Sequence, residues 1–387
     1  MKKTIPNSNS VVLTGKEWIL TVALAGIISF SIYFGWDRWE KIGLEPDYRS
    51  TCWEERMSDY WAYGQWSRIA RGKFKILLVG DSEVWGQEVV STGTISHCLN
   101  EILGSGEVAN LGIDGLSNAA MEGLFRYYGR HIRHTNIILQ FNPLWMSSPW
   151  RDMRENWIFH HPRLVRQLDG RIHYYRGLSE RLGYLLEHYL RLPPFVRHLM
   201  VNYFENKSIA VWLLDHPYRF PFGAITFMGT PVMREKQGLG TPWSSQPGAG
   251  KFDDPFLLLD GSVQWECYLG ALQLLKDKGN RVFVLLGPYN TYNLTDTSRV
   301  RFFAMMDAVK KKLGEIGYPY FDSTRDLLPS GEYADKSHVL RSGHALLARA
   351  MAKDTRFRQW LAGLNGSGEA AGQAVKKNLV FRPPVDI

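Results

Sequence analysis

The segment KILLVGDSEVWG, residues 75–86, carries the clearest structural pattern in the chain. Its apolar residues end at Gly80, and Asp81 and Ser82 follow directly. A short apolar run that ends at a glycine is typical of a strand buried on both faces of a parallel sheet. Ligands of such sheets bind beyond the carboxyl ends of the strands. The pattern therefore predicts a buried strand and places Ser82 at the edge of the sheet where a functional site is expected.

Similar apolar runs recur downstream, and segments with helical spacing of apolar residues lie between them. The further predicted strands are 107–110, 136–141, 281–286 and 318–321, and the predicted helices are 94–103, 117–133, 263–278, 298–316 and 342–353. Strands that alternate with helices form parallel sheets covered on both faces. The sequence thus predicts an α/β fold with a doubly wound, parallel, five-stranded sheet.

These segments give the chain a predicted domain organisation. The α/β domain comprises 73–146 and 261–362, and a helical insertion, 147–260, separates its two parts. The other segments are a cytoplasmic N-terminus 1–17, a membrane anchor 18–36, a connector 37–72 and a tail 363–387. The insertion is basic and aromatic, and we expect it to act either as a cap over the site or as a docking surface for a partner.

The anchor is predicted from the run between Trp18 and Trp36, which contains no charged residue. Its nineteen residues would span about 28 Å as a helix, close to the roughly 30 Å hydrocarbon core of a bilayer. We therefore expect a single helix that binds membrane lipid, with a cleavable signal peptide as the alternative. Lys2, Lys3 and Lys16 precede the run, which places the N-terminus in the cytoplasm and the α/β domain outside it.

Composition narrows the classes of protein further. With 45% hydrophobic and 22% charged residues, the chain is neither disordered nor wholly embedded in a membrane. Its net charge of +8 favours an anionic surface, such as lipid headgroups or an acidic glycan. We expect no nucleic-acid partner, because no nucleic-acid-binding signature is present, and no cofactor or metal. Cys98 and Cys267 are predicted core residues, and the pairing of Cys52 stays open.

Polar residues that follow the predicted strands match the needs of serine acyl chemistry, which are a nucleophile, a base and donors for an oxyanion. Ser82 is the candidate nucleophile, and His338 is the candidate base because an imidazole titrates near neutral pH. Asp335, three residues before His338, can accept a hydrogen bond from the other ring nitrogen. The backbone N–H groups of Ser82 and Gly112 and the side-chain amide of Asn142 are the candidate oxyanion donors.

Four blocks of this sequence resemble the signature blocks of the SGNH (GDSL) hydrolase superfamily, and they occur in the family's order. They read KILLVGDSEVWG at 75–86, VANLGIDGLS at 108–117, IILQFNPLW at 137–145 and YADKSHVLRSGHALLARAM at 333–351. The resemblance covers about 74–142 and 263–353. It implies a flavodoxin-like SGNH fold with Ser82 as nucleophile, Asp335 and His338 completing the triad, and Gly112 and Asn142 as oxyanion donors.

The third block departs from the family pattern, because Gln140-Phe141-Asn142-Pro143 stands where Gly-x-Asn-Asp is usual. The Pro-x-Trp run there is similar to that of the membrane-anchored family members that act in lipoteichoic-acid D-alanylation. A single anchor followed by an SGNH domain is also similar to the exopolysaccharide O-acetylation proteins. Those proteins work beside a membrane-bound O-acyltransferase, so the resemblance implies such a partner.

The expected function is that of an extracytoplasmic serine O-acyltransferase or O-acylesterase. It would act through an acyl-serine intermediate, with a cell-surface polysaccharide as the expected substrate. Two alternatives stay open: a plain esterase or lipase, and a non-catalytic assembly or binding subunit of a membrane acyltransferase complex. The sequence leaves undecided the acyl group, its donor and acceptor, the choice between hydrolysis and transfer, and the oligomeric state.

Overall fold

Five parallel strands form the centre of the molecule. The computed structural model describes residues 13–40, 59–104, 106–155, 160–172, 177–190, 192–225, 240–247, 249–325 and 327–364. The strands are β1 (Ile76–Val79), β2 (Val108–Asn110), β3 (Asn136–Phe141), β4 (Arg281–Leu286) and β5 (Tyr320–Asp322). The predicted five-stranded parallel α/β sheet is therefore confirmed.

Helices connect the strands and cover them. In chain order they are α1 (Gly15–Trp39), α2 (Tyr60–Lys73), α3 (Ser82–Trp85), α4 (Ile95–Leu103), α5 (Asn118–Gly123), α6 (Leu178–Tyr189), α7 (Leu192–Tyr203), α8 (Ile209–Asp215), α9 (Pro221–Ala224), α10 (Val263–Asp277), α11 (Asp296–Glu315) and α12 (Arg341–Lys353). The sheet has the order β2-β1-β3-β4-β5. After β2 the chain crosses over β1 to form β3, so the direction of winding reverses between β1 and β3. Open α/β sheets bind their ligands at such a reversal.

The strands are apolar on both sides because helices pack on both faces of the sheet. Leu77 and Val79 lie in the hydrophobic cluster that also contains residues of α2, α5 and α10. Ile76 and Leu78 point to the other face, where Leu347 of α12 packs with residues of α4. Full burial of such an aliphatic side chain stabilises a fold by about 1.5–3 kcal/mol. The alternation explains why β1 reads as an unbroken apolar run.

The insertion, 147–260, contributes the helices α6 to α9 and no strand of the sheet in its described residues. Its first part belongs to the core, because Met153, Leu164 and Val165 are fully buried in the cluster that contains Leu77. The start of α10 is held by Asp152, whose carboxylate accepts hydrogen bonds from Ser262 Oγ at 2.5 Å and from the Val263 N–H at 3.1 Å. The insertion is thus built into the domain at its beginning, and its predicted boundaries stay a prediction.

A buried ionic cluster joins α1, α2 and α7, and we call it the α1–α2–α7 cluster. His198 lies between two carboxylates, with Nδ1 2.8 Å from Asp59 Oδ2 and Nε2 2.8 Å from Glu40 Oε1. Tyr203 and Trp36 also donate to the Glu40 carboxylate, at 2.5 and 3.0 Å. Burial lowers the pKa of His198, but the charges and hydrogen bonds of the two carboxylates outweigh it and raise the pKa to about 10. The imidazole is therefore protonated and holds three helices together.

Helix α1 covers the predicted anchor, and its end is part of the protein interior. Thr14 and Glu17 form a capping box at its start, and Trp36 near its end is buried against Phe195 of α7. Within the described ranges, no helix is both long enough and apolar enough to cross a membrane. The predicted membrane-spanning helix over 18–36 is therefore not found. Trp18 and other large apolar side chains of α1 are nevertheless more than half exposed.

Some sequence predictions fall outside the described residues. They concern most of the cytoplasmic N-terminus, the connector between 41 and 58 with Cys52, and the tail beyond 364. The two other cysteines are described, and both Cys98 and Cys267 are buried as predicted.

Candidate active site

Ser82 opens the one-turn helix α3 immediately after β1. Asp81 caps this turn by accepting the Ser82 N–H at 2.6 Å, and Gly86 ends it with a φ of +85°. The strand therefore delivers the serine to the carboxyl edge of the sheet, beside the reversal between β1 and β3. The strand bounds place Ser82 at this edge, and its role as nucleophile stays a prediction.

His338 and Asp335 lie on the loop between β5 and α12. The carboxylate of Asp335 accepts the backbone N–H groups of Ser337 and His338, both at 2.8 Å, and it lies 2.6 Å from His338 Nδ1. The other ring nitrogen, Nε2, lies 2.8 Å from Ser82 Oγ. Because a carboxylate only accepts, Nδ1 carries a proton, and Nε2 of the neutral ring presents its lone pair to the serine hydroxyl. The fold thus brings together three residues that the sequence separates by up to 256 positions.

Asp335 also sets the charge state of the ring. Burial lowers the pKa of His338, but the hydrogen bond and negative charge of Asp335 outweigh it, and the pKa rises to about 9. For Asp335 the signs are opposite: burial raises the pKa of the carboxyl group, but the hydrogen bond to His338 outweighs burial, and the pKa is lowered. An imidazolium formed when the ring takes the serine proton is therefore well stabilised.

Each predicted oxyanion donor lies near the serine and already has an acceptor in the protein. The Ser82 N–H donates to Asp81, the Gly112 N–H donates to Asn110 Oδ1 at 2.9 Å, and Asn142 Nδ2 donates to Asp81 Oδ2 at 2.9 Å. An oxyanion would have to displace an acceptor from the two backbone donors, whereas the amide of Asn142 has a second N–H to give. The oxyanion roles of these residues therefore stay a prediction.

Packing alone requires a glycine at position 112. A Cβ on Gly112 would lie 2.4 Å from the backbone nitrogen of Trp85, which is closer than any real side chain approaches. The loop after β2 therefore rests directly on the backbone of the turn that carries Ser82.

Asp81 is a brace for the serine turn. Besides Ser82 and Asn142, its carboxylate accepts from Trp145 Nε1 at 2.8 Å, and its backbone N–H donates to Gln140 Oε1 at 2.9 Å. Burial raises the pKa of Asp81. The unusual third sequence block, which supplies Gln140, Asn142 and Trp145, thus has a structural role in tying β3 to the serine turn.

Sequence reasoning missed Glu83, the residue after the nucleophile. Its carboxylate is 2% exposed and accepts the backbone N–H of Val339 at 2.9 Å. The other carboxylate oxygen lies 3.6 Å from Nδ1 of His344, which is also buried. Burial raises the pKa of Glu83 to about 8. The only signal for it in the sequence is its position directly after Ser82.

A cavity of about 300 Å³ lies away from the serine turn, between α2, the segment 126–131 that follows α5, and α6 with α7. None of Ser82, Asp335 and His338 lines it. In the part of the chain that the structure describes, no three His, Cys, Asp or Glu residues are grouped so as to hold a metal ion. The chemistry therefore concentrates at the serine turn.

A parallel α/β sheet with a serine, histidine and aspartate in hydrogen-bond contact at its carboxyl edge is the arrangement of a serine acyl-transfer site. No protein-family model and no curated protein matches the chain. Among solved structures, a carbohydrate acetylesterase family member from Sinorhizobium meliloti is similar over 72% of this chain and 95% of that chain. The identity is 11% and the TM-score is 0.31, so the functional argument depends on the geometry of the site and not on this similarity.

Proposed function

We propose that this chain is a serine acyl-transfer enzyme that works through an acyl-Ser82 intermediate. The observation that carries the proposal is the continuous hydrogen-bond chain from Ser82 Oγ through His338 to Asp335, with separations of 2.8 and 2.6 Å. A serine hydroxyl becomes a nucleophile when an adjacent base takes its proton, and a carboxylate behind the base stabilises the resulting charge.

The first half of the reaction forms the acyl-enzyme. Ser82 Oγ attacks the acyl carbonyl carbon while His338 Nε2 takes the hydroxyl proton, which gives a tetrahedral oxyanion. The carbonyl re-forms, the bond to the leaving oxygen breaks, and His338 gives its proton to that oxygen. Asp335 stays ionised throughout and keeps the ring in place. We propose the second N–H of Asn142 as the oxyanion donor, because the amide can give it without an exchange of acceptors.

The second half releases the acyl group. A hydroxyl of the acceptor, either water or a sugar, loses its proton to His338 Nε2 as its oxygen attacks the acyl carbonyl. The tetrahedral intermediate collapses, the bond to Ser82 Oγ breaks, and the proton returns to the serine. Hydrolase and transferase differ only in this acceptor, so the triad geometry serves both.

We propose a cell-surface polysaccharide as the substrate and an extracytoplasmic position at a membrane, beside a membrane-bound O-acyltransferase. The sequence blocks resemble those of enzymes with this arrangement. The net charge of +8 suits anionic glycans and lipid headgroups, and the exposed apolar side chains of α1 suit a lipid surface.

A topology assay tests this placement. A reporter that is active only outside the cytoplasm, fused after residue 387, should be active in the full chain and inactive in a matched chain that lacks residues 1–36. Equal inactivity of the two fusions would contradict the extracytoplasmic placement and would leave the proposed chemistry untouched.

Active-site labelling tests the chemistry itself. A fluorophosphonate probe should label the wild-type protein at Ser82, and mass spectrometry should locate the adduct on the peptide containing 82. The Ser82→Ala variant should fold normally, because the change removes one oxygen and leaves the backbone as it is, and it should not label. A folded wild-type protein that neither reacts with the probe nor carries an acyl group on Ser82 in cells would support the non-catalytic alternative instead.

A further inference from the structure

The turn that carries the nucleophile also holds the loop that carries the base. Within α3, Ser82 Oγ faces His338 Nε2 at 2.8 Å, and the next side chain, Glu83, accepts the backbone N–H of Val339 at 2.9 Å. Val339 is the residue that follows His338 in the chain. Two adjacent residues of one turn therefore contact two adjacent residues of one loop.

The base loop is fixed from both sides. On its N-terminal side, Asp335 accepts the backbone N–H groups of Ser337 and His338. On its C-terminal side, the acceptor for the loop is the Glu83 carboxylate, which lies on a different element. Asp335 can order the loop internally, but it does not tie the loop to the serine turn. Asn290, after β4, also holds the loop, because its N–H donates to the Lys336 carbonyl and its Nδ2 to the Asp335 carbonyl, both at 2.9 Å. Within the serine turn, Glu83 is the side chain that bonds to the backbone of the loop.

Burying a carboxylate is unfavourable unless the group is well bonded. Glu83 and Val339 are 2% and 1% exposed. If the carboxylate moved away, water could not replace the lost hydrogen bond at either the Val339 N–H or the carboxylate oxygen. Unpaired buried backbone groups are rare for this reason. The bond between them is therefore hard to break without moving the loop.

We propose that Glu83 is a positioning residue for the acid–base step: its carboxylate holds the Val339 N–H and thereby keeps His338 within hydrogen-bond distance of Ser82. The consequence for the reaction rate rests on the proposed serine chemistry, and the positioning itself does not. Glu83 does not contact the reacting atoms, but its charge contributes to the raised pKa of His338, so the test has to separate position from charge.

A pair of substitutions separates position from charge. Glu83→Gln keeps an acceptor oxygen at the same reach and cannot ionise, whereas Glu83→Asp keeps an ionisable carboxyl group and withdraws the acceptor by one methylene. Positioning predicts that Glu83→Gln labels with the fluorophosphonate within about threefold of wild type. It predicts that Glu83→Asp lowers the maximal labelling rate by roughly 10–100-fold, with little change in probe affinity, because misplacement by about 1 Å can cost as much. The matched control is Glu122→Asp on α5, a carboxylate that is equally buried and does not contact the triad, and it should label normally.

The outcomes are distinct. Labelling of Glu83→Asp at the wild-type rate in a folded protein, or a slow Glu83→Gln beside a normal Glu83→Asp, would overturn the positioning role. If the wild type neither labels nor carries an acyl group on Ser82 in cells, the proposed function fails, and NMR then decides on Glu83. The low-field resonance of the His338 Nδ1 proton should persist in wild type and Glu83→Gln and broaden or shift in Glu83→Asp. The same resonance in all three proteins would contradict the proposal.

Discussion

His338 and His198 have similar partners and different tasks. Each places Nδ1 against an aspartate, Asp335 at 2.6 Å for His338 and Asp59 at 2.8 Å for His198. In both, burial lowers the imidazole pKa and the neighbouring carboxylate overrides it, so the pKa rises to about 9 and about 10. An aspartate behind a histidine is therefore not sufficient to identify a catalytic site.

The other ring nitrogen makes the difference. Nε2 of His338 faces the hydroxyl of Ser82, which can give up a proton, while Nε2 of His198 faces a second carboxylate, Glu40. The His338 side chain is 13% exposed and that of His198 is fully buried. A ring with one carboxylate and one hydroxyl can take a proton and pass it on, whereas a ring between two carboxylates keeps both protons. His198 is thus a structural cation.

The largest effect should come from removing His338, the proposed catalytic base. His338→Ala should lower hydrolysis of a p-nitrophenyl ester by roughly 10³-fold, because an unactivated serine is nearly inert. Ser82→Ala should lower the hydrolysis rate by as much. The double variant should hydrolyse the ester at the same rate as either single variant, because triad members act as a unit. Purified variants compared at equal concentration of folded protein provide the measurement. Losses that multiply in the double variant would show that Ser82 and His338 do not act together.

Removing the buried histidine should instead affect folding. His198→Ala leaves the carboxylates of Glu40 and Asp59 buried without their counter-charge, so the free energy of unfolding should fall by about 3–5 kcal/mol. Denaturant unfolding at neutral pH would measure this. As a control, His97→Ala on the surface of α4 should change stability by less than about 0.5 kcal/mol. Folded His198→Ala molecules should label normally at Ser82. A loss of labelling in this folded variant would show that His198 is not purely structural.

The smallest effect, and the one that compares the two rings directly, is the dependence on pH. Both folded-state pKa values are raised above the ordinary 6.5, so the stability that each ring contributes is fully present below about pH 6.5. That stability is lost as the pH rises through about 9 for His338 and about 10 for His198. Activity should change in the opposite direction, because only neutral His338 can act as a base. Labelling rates between pH 6 and 10, with melting curves at each pH, would test this, and a rate that is flat up to pH 9 would contradict it.

The sequence could predict which serine, histidine and aspartate lie together because their signals are local. A buried strand followed by Gly80-Asp81-Ser82, and an Asp-x-x-His before the last helix, each lie within a few residues of an element that the apolar pattern identifies. The rule that functional residues gather at the carboxyl edge of a parallel sheet then brings them together. For the same reason the five strands were found nearly at their true bounds.

What the sequence did not reveal depends on contacts between distant segments. His198 is 139 positions from Asp59 and 158 from Glu40, and no periodicity connects them. The acceptors that occupy the Gly112 and Asn142 donors are likewise visible only in three dimensions. The membrane-spanning prediction for 18–36 rested on the absence of charge, a property that does not show that Trp36 is buried against the protein.

The α1–α2–α7 cluster has a mechanical consequence. Helix α2 leads directly into β1 and so to the serine turn, while α7 belongs to the insertion. Because one buried imidazolium bonds to the end of α1 and to the cap of α2, a force applied along α1 reaches α2 and α7 together. The connection from α1 to the helix that precedes the serine turn therefore consists of buried hydrogen bonds. We therefore expect α1, α2 and α7 to move as one unit.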